Sequence, residues 1–134
     1  MKSSEHAVVG TVVSAIGVRL FGQELSVAQK LGLWLYGVVL SVVIDLDHFV
    51  LGRYYLGDWS MLNEAISEPA RAFTDPAWLF TDVDMDTERL LSHAIIGGLL
   101  SLGLFVVTPL LGAFTALVLY AHGFCDLLRD TNTL

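Results

Sequence analysis

Between Ala94 and Cys125 the sequence lacks any Asp, Glu, Lys or Arg over 32 residues. A gap of that length far exceeds the roughly 18 apolar residues that mark a membrane-spanning helix, and it excludes an ordinary solvated surface for this part of the chain. Basic residues are scarce as well: seven Lys and Arg stand against 14 Asp and Glu, a net charge of -7. Nucleic-acid binding requires a basic stripe, so that class of partner is excluded. Cysteine is represented by Cys125 alone, which rules out an internal disulfide. The N-terminal stretch MKSSEHAVVG lacks a signal peptide's small-residue cleavage pattern, so the first apolar segment is expected to be retained as a span.

What the chain has is apolar side chains. Of its 134 residues 54% are hydrophobic, and the mean hydropathy is +0.66, too apolar for a soluble domain of this length. We expect a single all-α membrane domain, a four-helix transmembrane bundle with spans at about 6–21, 28–50, 89–107 and 110–128. Residues 22 to 27 form a short hairpin connection, and Trp34 and Tyr36 sit near the start of the second span, where amphipathic rings favour the interface. As one helix, the C-terminal run would hold His93 and His122 roughly 43 Å apart and overshoot a hydrocarbon core of about 30 Å. Pro109 removes a helical hydrogen bond and biases Thr108 away from helical geometry, so two helices are preferred.

The connection between the second and third spans carries much of the charge. Trp59, Leu62, Ile66 and Phe73 are spaced as the apolar stripe of an amphipathic helix lying on the membrane, restarted at Pro69. Asp82, Asp84 and Asp86 resemble half of a calcium loop, but Thr87 replaces the expected glycine and His93 the expected glutamate. These acids are read as a solvated approach to a helix N-terminus.

Within the apolar runs, polar residues are unevenly placed. His6 opens the first span, Asp45, Asp47 and His48 close the second, His93 opens the third, and His122 and Asp126 close the fourth. In an up-down-up-down bundle the starts of odd spans and the ends of even spans share one side of the membrane. All four histidines therefore converge on one face. Asp45 and His48 are three residues apart, and His122 and Asp126 four, so each pair can share a helix face. An aspartate at the centre of a spanning helix costs about 2.5–3.5 kcal/mol on insertion scales, so such residues read as functional. Imidazole and carboxylate donors suit a divalent metal, zinc first, with manganese or iron as alternatives. A proton or cation pathway also uses such residues, but Thr11, Ser14, Ser41, Ser101 and Thr115 give too few polar groups for a conduit.

The segments SEHAVVG, VIDLDHF, LLSHAIIG and AHGFCD resemble, in order and in membrane placement, the motifs of the membrane-bound metal-dependent hydrolase family. Those motifs are a Gly-His, a Pro-Asp-x-Asp-His, a His-Arg-x-x-Thr-His and a Ser-His-x-x-x-Asp. The resemblance implies metal ligation by His6, Asp45, Asp47, His48, His93, His122 and Asp126, the set already selected by topology. Ile44 replaces the proline, Ser92 the threonine and Ala121 the serine, and Glu88 stands where the family has its first histidine of the third motif. The implied activity is metal-assisted hydrolysis of a phosphoester or phospholipid at the membrane interface, with Asp47 or Glu88 taking a proton. A metal-binding protein without turnover and a transporter are the alternative readings. Lys2, Arg53, Arg71, Arg89 and Arg129 lie on the site side against Arg19 and Lys30 opposite, which places the site and both termini in the cytoplasm of an integral, multi-pass protein. Gly97, Gly98, Ser101 and Gly103 would permit close helix contact on the third span.

Overall fold

Local capping chemistry starts the second helix. Ser26 and Gln29 form a reciprocal box, in which Gln29 Oε1 accepts from the Ser26 amide at 2.9 Å and Ser26 Oγ accepts from the Gln29 amide at 3.4 Å. In the computed structural model, which describes residues 2–81, 83 and 85–131 apart from the side chain of Asp86, the described residues form helices and no strand. Helix α1 is Ser3–Phe21 and α2 is Val27–Val43. A 3-10 turn over Ile44–Leu46 leads into α3, Asp47–Leu56. The connection holds α4 (Ser60–Ser67), α5 (Pro69–Thr74) and a second 3-10 segment, Pro76–Phe80. Helices α6 (Asp86–Val107) and α7 (Pro109–Asp130) complete the chain. Asp82 and Asp84, two of the three acids of the half calcium loop, lie outside the described residues.

Among the described residues, three helical stretches are long and apolar enough to cross a membrane: Val27–Leu56, Thr87–Val107 and Pro109–Asp130. Their outward faces are hydrocarbon, with Leu99, Leu102, Val106 and Val107 of α6 all exposed. Water would not tolerate a helix so bare of polar cover, whereas lipid would. Helix α1 is not among the three, because its first turn carries Ser4, Glu5 and His6 and its last turn Arg19. The long uncharged run is indeed two helices. Thr108 is extended (φ -147°, ψ 104°), and Pro109 occupies the first turn of α7, where its missing N–H costs nothing.

Helix α7 lies at the centre, packed against α1, α2 and α6, and α1 also runs along α2. Phe114, fully buried, fills the middle with Val118, Leu33 and Leu40. Gly17 of α1 and Gly37 of α2 flank its ring, and a Cβ at either position would come within 3 Å of it. Gly97 faces Leu119 of α7, whereas Gly98 and Gly103 look into open space, so only the first of these glycines serves packing within the chain.

The second span is longer than the sequence reading gave. It runs on through α3 to a left-handed Gly57 (φ 82°), where the chain turns into the connection. The connection is helical and breaks before Pro69, as its spacing implied, and its buried face packs on the rest of the chain while most of the stripe of larger side chains stays exposed, as a helix lying on a membrane requires. Met61 and Ala65 pack with Leu79 and Met85, while Trp59, Ile66 and Phe73 remain exposed. Tertiary packing on α3, where Met61 sits against Gly52, selects that face over the stripe of larger side chains.

Candidate metal centre

The cluster residues come from five elements of the fold. His6 lies in the first turn of α1, Asp45 in the 3-10 turn, Asp47 and His48 at the start of α3, His93 two turns into α6, and His122 and Asp126 near the end of α7. The 3-10 turn matters because its three residues per turn bring positions i and i+3 into line. His48 Nε2 accordingly lies 3.7 Å from Asp45 Oδ1. Asp47 is turned instead toward α6, where its Oδ1 lies 3.2 Å from His93 Nε2 and its Oδ2 accepts a 2.5 Å hydrogen bond from Ser92 Oγ.

Asp45 is the centre of the cluster. Its Oδ1 lies 3.3 Å from His122 Nε2 and 3.6 Å from His93 Nε2, and its Oδ2 is 4.0 Å from His6 Nε2. Asp126 closes the far side, 3.1 Å from His6 Nε2 and 3.4 Å from His122 Nε2. The donor atoms fall into two groups, each compact enough for one cation: His6, Asp45, His122 and Asp126, and Asp45, His48 and His93. Both contain Asp45. The structure thus brings together all seven residues selected as ligands, with Asp47 beside both His48 and His93 but in neither group. Glu88 stands apart, its Oε1 accepting a 2.8 Å hydrogen bond from the Tyr55 hydroxyl.

The fit of a cation can be judged from the donor atoms. Nε2 of all four histidines, Nδ1 of His93, Oδ1 of Asp45 and Oδ1 of Asp47 are buried without a hydrogen-bond partner. Leaving one such atom unsatisfied costs about 1–3 kcal/mol, and here the orphaned atoms all face one another. A cation at either donor group satisfies the atoms that belong to it, and Asp47 Oδ1 stays outside both; the residues of the two groups fit a metal ion. His122 is also preset for that role. Its Nδ1 is 2.8 Å from the Ser41 carbonyl, which can only accept, so Nδ1 carries a proton, and in the neutral ring it is the Nε2 lone pair that would face the cluster.

Two supporting residues were not singled out as site residues from the sequence. Ser41 orients His122 through its carbonyl, and its hydroxyl reaches the His6 carbonyl at 3.1 Å. Ser92 holds Asp47. The signal for each was position: Ser41 is one helical turn before Asp45, and Ser92 immediately precedes His93. Beside the cluster, Arg89 Nη2 donates to both carboxylate oxygens of Asp130 at 2.8 and 2.7 Å, strapping the start of α6 to the end of α7. No protein-family model matches the chain, and neither does any curated protein or solved structure, so the chemistry of the cluster rests on its own atoms.

Proposed function

We propose that the chain is a membrane-embedded, metal-dependent hydrolase that acts on a phosphoester or phospholipid at the membrane interface. The observation that carries this reading is the convergence of buried imidazole and carboxylate groups from α1, the 3-10 turn, α3, α6 and α7 into two compact donor sets. In it α1 is the fourth span, and the basic excess on the site side turns the cluster toward the cytoplasm. The donor set favours zinc, with manganese or iron able to replace it. Since Asp45 belongs to both donor groups, it would help to hold a cation at either of them. A cation in this setting supplies Lewis acidity toward a phosphoryl oxygen and makes a neighbouring water more acidic.

The protein's own groups divide the remaining work. Asp47 Oδ1 takes the proton of the attacking water, while Ser92 keeps the carboxylate oriented through Oδ2. Glu88, held by Tyr55, is given no part in proton transfer. Phe114 and Val118, 0% and 1% exposed, fill the bundle two turns and one turn before His122 on α7, with Ser14 and Thr115 the buried polar groups near them. That mostly apolar filling favours chemistry at one face over passage of an ion between faces.

The test is turnover of lysophosphatidic acid by the chain in phosphatidylcholine nanodiscs. Phosphate release is expected, to be abolished by a chelator and restored by zinc. A metal-loaded protein with no turnover on mono- or diester lipids would reduce it to a metal-binding protein, and proton flux into liposomes would favour transport.

A further inference from the structure

A cavity of about 630 Å³ lies between the connection and the membrane-spanning helices. Its walls are hydrocarbon: Val42 and Phe49 on one side, and Ala65, Ala72, Leu79 and Phe80 on the other. Asp45 and His48 of the metal cluster belong to the same lining. The His48 side chain is only 9% exposed, and its Nε2 has no hydrogen-bond partner. The cavity is thus in direct contact with the cluster.

Its charge is distributed asymmetrically. Lys2 and Arg129 also line it, and both are well exposed. Lys2 Nζ is 3.3 Å from Asp75, and Arg129 Nη1 is 3.8 Å from Glu5. Exposed pairs of this kind contribute little in water, so either cation can turn to an arriving anion. Arg89 is committed to Asp130 and stays as a strut. The cavity therefore offers an apolar sleeve, a cluster of metal-binding groups in its wall and two exchangeable cations where it opens. Its volume lies within the roughly 300–1,000 Å³ typical of small-molecule sites.

We infer that this cavity is the tail-binding subsite of the metal centre: it holds the hydrocarbon chain of a membrane-resident, single-chain phosphoester amphiphile, with the phosphate between Asp45, His48, Lys2 and Arg129. The inference rests on the metal-centre reading for the position of the phosphate and on the cavity alone for the chain. Because such an amphiphile reaches the sleeve from lipid rather than from water, added methylenes bring little hydrophobic gain, and the fit of the chain to the sleeve's walls makes chain length the variable to which binding responds. Ala72 and Leu62 lie in the wall contributed by the connection and belong to neither donor group. They can be altered without touching a ligand.

The experiment measures binding of palmitoyl lysophosphatidic acid, its hexanoyl analogue, glycerol phosphate and hexadecanol to the zinc-loaded full chain in phosphatidylcholine nanodiscs. Metal per chain is determined on the same samples. Ala72→Trp fills the sleeve and is expected to weaken the palmitoyl probe by at least about tenfold while leaving glycerol phosphate and metal content unchanged. Leu62→Ala, which removes bulk and imposes no new contact, is expected to move the preferred chain length upward. Equal affinity of the palmitoyl probe for wild type and both variants would overturn the inference. So would hexadecanol binding as tightly as the phosphate-bearing probe, which would make the cavity a seat for bulk lipid. A wild-type protein free of metal that still shows the Ala72→Trp effect would remove the metal-centre reading and leave the tail site standing.

Discussion

Asp45→Asn is expected to abolish stable metal binding at both donor groups while leaving the helices in place. The side chain keeps its size, so packing between the 3-10 turn and α6 is retained. What disappears is the charge on the one residue common to the two groups, whose Oδ1 faces His48, His93 and His122 and whose Oδ2 faces His6. Changes to residues that merely orient ligands cost about 10–100-fold in metal affinity, and loss of the shared ligand should exceed that. Stability supplies a second readout. With zinc at about a thousand times its Kd the wild type gains about 4 kcal/mol by linkage, a gain the variant lacks. In chelator the wild type loses the linkage gain, and the difference between the two proteins should shrink by that amount. His48→Ala, which touches only the second group, is expected to halve the metal content of a two-cation protein. Metal retention in Asp45→Asn would show that the shared-ligand geometry is wrong.

Asp47→Asn is expected to separate metal binding from turnover. Asp47 lies outside both donor groups, yet its Oδ1 is 3.2 Å from His93 Nε2 and its other oxygen is fixed by Ser92. Metal content should therefore stay at the wild-type level while kcat for lysophosphatidic acid falls by about 10²–10⁴, the contribution of a positioned general base. Ser92→Ala removes only the orientation and should cost less. If Asp47→Asn loses its metal instead, Asp47 is a ligand and proton transfer must be assigned elsewhere.

Much of this arrangement was legible before any coordinates. His6, Asp45, His93 and His122 stand at the ends of apolar runs, and that placement anticipates their meeting at one end of the packed helices. Pro109 marks the turn between α6 and α7 for the steric reason that it cannot continue a helix. The distinct roles of Asp45 and Asp47 were not legible. They depend on the 3-10 turn at Ile44–Leu46, and nothing in an aliphatic run distinguishes that turn from a regular helix. Ser41 acts on His122 through its carbonyl, a group every residue possesses, so its identity gives no sign of the role. The inner face of α4 was likewise hidden. Met61 and Ala65 are less conspicuous than Trp59 and Ile66, and only the approach of α3 at Gly52 decides which pair is covered.

The central claim is that the buried His and Asp atoms exist to hold metal, and elemental analysis of the purified, folded wild-type chain tests it most directly. The account predicts one or two equivalents of a transition metal per chain, zinc foremost, retained through gel filtration and removed by chelation. A folded, helical protein that carries no metal and takes up none from zinc, manganese or iron would contradict it.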